Sequence, residues 1–195
     1  MRPDDRTSDL IGRARAGDAR AMEELLVAHA DRLYAHVSRV LGHGPDAEDV
    51  VQDASVSAWR SIRSFEGTSF RAWLFRIATN RAIDVVRARR RRGELPFDPP
   101  DDDGEPQWTE PASPGPDLAD LAADREAVGV VDEALRAIAP EQRAALLLRD
   151  VEGFDYAEIA RITATEIGTV KSRIHRGRVA VRNALVARGW RSSGG

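Results

Sequence analysis

The feature that most limits the fold of this chain is a stretch of 25 residues near its middle, 93–117, which contains seven prolines. Proline fixes the backbone φ angle and lacks an amide hydrogen, so neither a helix nor a strand ladder continues through such a stretch. The same residues carry eight carboxylates and no basic side chain, and like charges repel. We therefore expect an extended linker, at most about 80 Å long at about 3.3 Å per residue, between two units, residues 1–92 and 118–195.

Charge is distributed unevenly along the chain, although the net charge is only −3. Residues 1–92 carry 17 arginines and 13 acids, and residues 118–195 carry 12 basic and 11 acidic side chains. Eight of those 12 basic residues lie between Arg161 and Arg191, where Glu166 is the only acid. Two basic surfaces on either side of an acidic linker favour a chain that binds nucleic acid.

Composition excludes several classes of protein. Hydrophobic residues make up 42% and charged residues 31%, which allows a packed core and disfavours global disorder. No apolar run approaches the roughly 20 residues that span a bilayer, and the first ten residues, MRPDDRTSDL, lack the apolar segment of a secretory signal. Without cysteine the chain forms no disulfide and no thiolate site. We therefore expect a cytoplasmic protein that does not insert into a membrane.

Helical spacing of apolar residues and helix-end signals run through both units, and no segment alternates in the manner of a strand. In the N-terminal unit we expect four helices: one near 9–16, one from Asp18 to the break at 42–45, one over 46–62, and one from Ser69 into the arginine run 87–92, after a loop at 64–68. In the C-terminal unit we expect a helix ending before Pro140, a helix from Pro140 to Gly153, a short helix over 155–162, a turn at Thr163 and Ala164, and a last helix capped by Thr165 that runs to about Arg188. The predicted fold class is all-α, with two small helical domains joined by the acidic linker.

The last two predicted helices have the form of a helix-turn-helix, in which a short helix and a tight turn precede a basic helix. When the last helix is projected at about 100° per residue, Ile167, Val170, Ile174, Val181 and Leu185 fall on one stripe. Thr165, Thr169, Ser172 and Arg176 fall near the opposite side, and Lys171 and Arg173 lie on the flanks. Small polar groups and an arginine suit base edges in the major groove, and flanking cations suit phosphates. The alternative is a surface helix with an ordinary polar face.

Three stretches of sequence are similar to the extracytoplasmic-function sigma factors. DYAEIARITATEIGTVKSRIHRGR, residues 155–178, resembles their region 4 helix-turn-helix. DAEDVVQDASVSAWRSI, residues 46–62, followed by FEGTSFRAWLFRIATNRAIDVVRARRRR, residues 65–92, resembles their region 2. The turn departs from the family pattern, because the family usually has Gly or Asn in place of Thr163 and a branched apolar residue in place of Ala164. The resemblance implies a sigma factor whose residues 1–92 contain region 2 and whose residues 118–195 contain region 4.

The resemblance also implies partners and roles. The partners are core RNA polymerase, promoter DNA as a −35 duplex and a −10 single strand, and, in many relatives, an anti-sigma factor. The last helix then reads the −35 element through Thr165, Thr169, Lys171, Ser172, Arg173 and Arg176. The −10 strand is assigned to the loop Phe65, Glu66, Gly67, Thr68 and Ser69 and to Arg76, Asn80, Arg81, Arg87 and Arg90.

Three further features carry two interpretations each. Asp49, Gln52 and Asp53 are assigned to core polymerase, although acids at a helix start also complement the helix dipole by about 0.3–1 kcal/mol each. Trp73 is a possible stacking platform for a base, but its place in the apolar stripe of its helix favours core packing. For the linker, the plain interpretation is a solvated spacer, and Phe97 and Trp108 are the candidate apolar anchors if it binds a partner. The resemblance implies that this acidic segment threads the RNA exit path.

The sequence offers no candidate for catalysis, metal binding or cofactor binding. His29, His36 and His43 recur every seven residues, but neighbours seven apart lie about 10.5 Å apart along a helix, too far to share a metal. We interpret them as surface or boundary histidines. The phosphate loop GxxxxGK[ST], HExxH and GxSxG are all absent. The expectation is a non-enzymatic transcription initiation factor, with a stand-alone helix-turn-helix regulator that does not bind polymerase as the alternative.

Overall fold

The computed structural model describes residues 3–42, 46–67, 69–94 and 125–188, and all regular secondary structure within these ranges is helical. The elements are α1 (Pro3–Arg15), α2 (Ala19–Val27), α3 (Ala30–Leu41), α4 (Asp46–Ser61), a 3₁₀ turn (Ile62–Ser64), α5 (Phe70–Arg91), α6 (Arg125–Ala137), α7 (Pro140–Asp150), α8 (Tyr156–Thr163) and α9 (Ile167–Ala187). The predicted all-α class is confirmed. His43, Thr68, Phe97, Trp108 and most of the linker lie outside the described residues, so the domain boundaries stay a prediction.

Side-chain caps set several helix starts as expected. The Asp18 carboxylate accepts hydrogen bonds from the amides of Arg20 and Ala21 at 3.0 and 3.2 Å, and Ser69 Oγ accepts from the amide of Ala72 at 3.1 Å. Each cap satisfies amides that have no partner in the first helical turn.

The expectation of one helix from Asp18 to the break at 42–45 is wrong, because the chain bends at Ala28 and His29 and forms α2 and α3. The amide of His29 bonds to the Leu26 carbonyl in a tighter turn instead of continuing the α-helical ladder. Neither glycine nor proline marks this bend, and the apolar spacing continues through it. α1 also begins at Pro3 rather than near Asp9, which fits the preference for proline in the first helical turn.

The N-terminal core is built where α3 and α4 pack against α5. α4 contributes small residues, Ala47, Ala54 and Ala58, all at most 1% exposed, which let the helix lie close to its neighbours. α5 buries two faces, one with Phe70 and Leu74 and the other with Phe75, Ala82 and Ile83. Phe75 and Ile83 lie off the main apolar stripe of α5 and are nevertheless buried, so α5 packs on two sides.

His36 contradicts its assignment as a surface or boundary residue, because it is only 2% exposed between α3 and α5. Its Nε2 atom lies 2.9 Å from Thr79 Oγ1, and its ring lies 5.3 Å from the Phe75 ring. A hydroxyl on the facing helix supplies the hydrogen bond that a buried imidazole needs. His29 is half-buried and stacks on Phe70 at 5.9 Å.

In the C-terminal unit, α7 is the central helix, and Ala144, Ala145, Leu146, Leu147 and Leu148 are each at most 1% exposed. α9 packs along α7 and α6, and both α7 and α8 also contact helices of the N-terminal unit. The buried side chains of the two units therefore form one continuous cluster. No described helix is both long and apolar enough to span a lipid bilayer.

Candidate nucleic-acid interface

The helix-turn-helix consists of α8, a short turn and α9. A capping box starts α8, since the Asp155 carboxylate accepts from the Glu158 amide at 2.7 Å and the Glu158 carboxylate accepts from the Asp155 amide at 2.9 Å. Ala164 ends the helix with φ 52° and ψ 46°, the left-handed conformation that usually favours glycine. The expected turn at Thr163 and Ala164 is thus present without glycine.

The predicted cap of the last helix is wrong. α9 begins at Ile167, and Glu166 precedes it without a side-chain cap. Thr165 instead places its Oγ1 atom 3.0 Å from Thr163 Oγ1, which itself lies 2.8 Å from the Ile159 carbonyl. The threonine hydroxyls therefore hold the turn rather than the start of α9.

The buried stripe of α9 is confirmed for Val170, Ile174, Val181 and Leu185, each at most 2% exposed, whereas Ile167 is 45% exposed. Thr165, Thr169, Lys171 and Arg176 are partly exposed, but Ser172 and Arg173 are only 7% and 8% exposed. The outward orientation expected for Ser172 is therefore wrong, because α9 packs against α6 and α7 as well as α8 and buries a wider arc.

A tyrosine that the sequence reasoning did not single out, Tyr156, is the first residue of α8 in the helix-turn-helix. The Tyr156 ring has the Arg149 guanidinium 4.8 Å from its centroid and the Lys171 ammonium 5.7 Å from it. Arg149 also donates to the Phe154 carbonyl at 2.9 Å. The ring thus holds cations from α7 and α9 near the start of α8. The signal in the sequence that could have identified Tyr156 is its place as an aromatic residue directly after the helix cap Asp155.

The predicted −10 loop divides into a buried and an exposed part. Phe65 is 4% exposed and packs against Trp73 at 5.1 Å and Phe70 at 6.3 Å. Glu66 and Gly67 are exposed, and a Cβ atom on Gly67 would lie 2.9 Å from Phe65 Cε2. Glycine therefore lets this loop fold closely over the phenylalanine ring.

A cavity of about 330 Å³ opens beside this loop. The loop, α5 and α8 all contribute to its wall, which consists of Ser64, Phe65, Glu66, Gly67, Ser69, Ala72, Trp73, Arg76, Glu158, Arg161 and Ile162. Trp73 is half-buried, packs against the core and also reaches this cavity, so its two proposed roles are compatible. Arg76 is exposed and forms no ion pair within the described ranges.

The other predicted −10 residues on α5 differ in their surroundings. Arg81 donates to Asp53 at 3.0 Å, and Arg87 donates to Glu141 at 2.7 Å. Asn80 and Arg90 are partly exposed. Ion pairs therefore hold the side chains of Arg81 and Arg87 in the structure.

The outer face of α4 is the predicted polymerase surface. Asp49, Gln52 and Asp53 are exposed there, and they share this face with Val56 and Trp59, which are 41% and 45% exposed. The sequence reasoning missed these two apolar residues, although both lie off the buried stripe of α4. Large exposed apolar side chains beside charges are typical of a protein-binding surface.

Within the described ranges, no group of three or more His, Asp or Glu side chains is placed to hold a metal ion.

The pKa of His29 is lowered by burial and by the nearby Arg71 and Arg32 guanidinium groups. The described interface thus offers cations, aromatic rings and small polar groups.

Comparison with known proteins matches both units to one family. Residues 25–92 match the family model of sigma-70 region 2, and residues 129–181 match that of sigma-70 region 4. The sigma-H factor of RNA polymerase from Pseudomonas aeruginosa is 32% identical over 95% of this chain and 96% of its own length. The sigma-E factor of Escherichia coli, of the extracytoplasmic-function (ECF) group, is 34% identical over 90% of this chain and 92% of its own. The chain belongs to the ECF sigma factor family.

Other relatives of this sigma factor agree with that assignment. The ECF sigma factor SigE of Mycolicibacterium smegmatis is 38% identical over 87% of this chain, which covers 64% of that protein. The solved structure of CnrH in complex with the cytosolic domain of CnrY has a TM-score of 0.65 and 27% identity, over 95% of this sigma factor and 99% of that chain. RpoE of Bartonella quintana, in complex with the anti-sigma factor NepR, has a TM-score of 0.58 and 30% identity, over 86% of this chain and 95% of that one. This sigma factor acts in transcription initiation.

Proposed function

We propose that this sigma factor binds core RNA polymerase, reads a −35 duplex with α8 and α9, and captures the melted −10 strand at the loop and α5. The observation that carries the −10 assignment is the cavity of about 330 Å³ lined by loop 64–69, α5 and α8. Phe65 and Trp73 offer aromatic surface to an unstacked base, and Arg76 lies at the same cavity to meet a phosphate.

The energetics of melting fit a protein that hydrolyses no nucleotide. Opening duplex DNA costs about 1.4 kcal/mol per base-pair step. Stacking of a base on an aromatic side chain contributes about 1–3 kcal/mol, so a few captured bases and phosphate contacts offset the cost of a short bubble. The protein need only hold the opened strand, and we propose that it is not an enzyme.

The −35 assignment rests on the part of α9 that the helix-turn-helix leaves accessible. Thr169, Lys171 and Arg176 are partly exposed there, and Arg149 adds a cation on the Tyr156 ring. An arginine such as Arg176 reads guanine through two hydrogen bonds in the major groove. The cations of Lys171 and Arg149 suit phosphates. Ser172 and Arg173 remain in the proposed −35 set, and they need a local shift of α9 to reach DNA.

Core polymerase is proposed to dock on the outer face of α4. The face combines Asp49, Gln52 and Asp53 with the apolar Val56 and Trp59, so a partner gains both polar and buried apolar contacts.

The solved relative RpoE is bound to the anti-sigma factor NepR. We propose that a protein of this kind also regulates this sigma factor.

Polymerase binding is tested by gel filtration of the chain with core RNA polymerase, followed by transcription of genomic fragments and sequencing of the transcript starts. We expect co-elution and starts that share −35 and −10 elements. The variant Asp49→Lys should weaken binding about tenfold, which corresponds to about 1.4 kcal/mol. Asp31→Lys is the matched control, because Asp31 is also an exposed acid in the first turn of its helix.

The rival function makes the opposite prediction. A stand-alone regulator binds duplex DNA tightly without polymerase and elutes apart from it. Separate elution would refute the proposed polymerase binding, and equal binding by D49K, D31K and the parent chain would refute the docking face on α4.

A further inference from the structure

Two side chains at the start of α9, the second helix of the helix-turn-helix, are exposed and support no other part of the fold. Glu166 directly precedes α9, and Ile167 is its first residue. Ile167 is 45% exposed, although the apolar stripe that begins with it buries Val170 and Ile174 at most 2% exposed. One exposed apolar residue is ordinary on a protein surface, so the surroundings of Ile167 decide what it can contact.

The neighbouring acid is out of place in its surroundings. Glu166 is the only acid between Arg161 and Arg191, where eight basic side chains lie. Its exposed carboxylate does not cap α9, and it forms no hydrogen bond or ion pair with any residue that the structure describes. A carboxylate here repels phosphates and lowers the nonspecific attraction of the helix for DNA. As an acceptor without a donor, it suits a base edge that offers an amino group.

The turn before α9 holds this segment rigidly. Thr165 Oγ1 lies 3.0 Å from Thr163 Oγ1, and the amide of Thr165 donates to the Ala160 carbonyl at 3.0 Å. Ala164 between the two threonines is in the left-handed conformation. Side chains on such a fixed segment lose little freedom when they bind, which suits them to selective contacts.

An open groove of about 750 Å³ lies beside Ile167 and is lined from both α8 and the start of α9. The side chains of Ala157 and Ala160 on α8 end at Cβ, so they leave Ile167 uncovered. Arg161 lines the same groove, is exposed and pairs with no described residue. A guanidinium beside an apolar side chain fits the edge of a DNA duplex, where phosphates flank the thymine methyl groups of the major groove.

We propose that Glu166 and Ile167 determine sequence preference in the −35 contact. The Glu166 carboxylate accepts a hydrogen bond from the N4 amino group of a cytosine, and Ile167 packs against the C5-methyl group of a thymine. This inference rests on the proposed reading of the −35 duplex by α9, in which the first residues of the reading helix meet base edges. The carboxylate also rejects guanine and thymine, whose edges present acceptor oxygens at that place.

Removal of single methyl groups from the DNA tests Ile167. The probe is the duplex of a promoter mapped by the transcript-start experiment, with each −35 thymine of either strand replaced in turn by deoxyuridine. One replacement should weaken binding by the parent chain with core polymerase about fourfold, which corresponds to about 0.8 kcal/mol for one apolar carbon. Ile167→Ala should bind that duplex and the unmodified one equally. Val186→Ala is the matched control, because Val186 is another exposed aliphatic residue of α9, and it should keep the fourfold difference.

Removal of single amino groups tests Glu166 in the same way. Each −35 cytosine is replaced in turn by 2-pyrimidinone, which lacks the N4 amino group. One replacement should weaken binding by the parent about tenfold, and Glu166→Ala should lose this difference. The same variant should bind an unrelated duplex more tightly than the parent, because it no longer repels phosphates. The matched control is Glu133→Ala, which removes an exposed acid that pairs with Arg188 at 2.6 Å and should keep the tenfold difference.

Each outcome decides one claim. If the parent is sensitive to no deoxyuridine, or Ile167→Ala is as sensitive as the parent, the role of Ile167 is overturned. The same results with 2-pyrimidinone overturn the role of Glu166. A Glu166→Ala variant that only melts at a lower temperature shows that the acid complements the helix dipole and reads no base.

Failure of the proposed function gives a different result. A parent chain that elutes apart from core polymerase or yields no promoter refutes the proposed function, and this inference falls with it. A parent chain that binds polymerase and its promoter, but distinguishes neither modified base, overturns this inference alone. Both substituted positions are exposed, so circular dichroism should show unchanged helical content in the variants.

Discussion

The buried histidine of the N-terminal core makes the stability of this sigma factor depend on pH. His36 is 2% exposed, and burial, followed by the nearby Arg39 and Arg71, lowers its pKa to about 3. Nε2 is hydrogen-bonded to Thr79, and a proton on Nδ1 would find no acceptor among the described residues. The native core therefore accepts neutral His36 and rejects its charged form.

The sign and size follow from the two pKa values. In the unfolded chain the imidazole titrates near its ordinary pKa of about 6.5, so the stabilisation is fully present above about pH 6.5. As the pH falls below this value, His36 binds a proton in the unfolded chain but stays neutral in the native state. The free energy of unfolding therefore decreases until about pH 3. Between pH 7.5 and pH 5.0 the loss is about 1.5 units at 1.36 kcal/mol each, or about 2 kcal/mol. That is a large share of the roughly 5–15 kcal/mol of a typical domain.

Urea unfolding followed by circular dichroism at pH 7.5 and 5.0 measures the effect in the parent and in His36→Gln. Glutamine retains a polar group for Thr79 but does not titrate. We expect the parent to lose about 2 kcal/mol more than H36Q between the two pH values. His29 and the carboxylates are common to both proteins, so their titration cancels in this comparison. Equal losses in the parent and in H36Q would refute the assignment of a neutral buried imidazole.

Four other changes test the site and its supports. Arg176→Ala should weaken −35 recognition by the polymerase complex by about 1–3 kcal/mol, and an unchanged preference among −35 sequences contradicts base reading by Arg176. Asp155→Ala should destabilise the C-terminal unit by about 1 kcal/mol through loss of the capping box, and Asp155→Ser should restore most of that stability. Identical melting temperatures of the parent and both variants would rule out a contribution from the cap. Gly67→Ala should weaken binding of the −10 strand, because the added Cβ would lie 2.9 Å from Phe65 Cε2. Gly12→Ala is the control, because its added Cβ has open space and should leave strand binding unchanged. Equal strand binding by the two variants would contradict the role of the tight loop. Shuffling residues 95–117 should leave the helical content measured by circular dichroism unchanged, and a loss of helix would show that the domain boundary is misplaced.

Much of the fold was predictable because its signals are local. Asp18, Ser69 and Asp155 cap helices through bonds to amides two or three residues ahead, and Pro140 starts α7. The stripe from Val170 to Leu185 repeats with the helical period and is buried as predicted. Family membership was also readable, since the region 2 and region 4 stretches occur in order in the chain.

The tertiary structure alone decided which helix faces meet. His36 is buried because α5 brings Thr79 to it from 43 positions away, and Ser172 and Arg173 are buried although they lie off the apolar stripe of α9. The contact of Arg71 with Glu152 joins residues 81 positions apart, in units that the linker led us to treat separately. Caps and periodicity act over a few residues, whereas burial and charge pairing depend on surfaces that only the packed chain brings together.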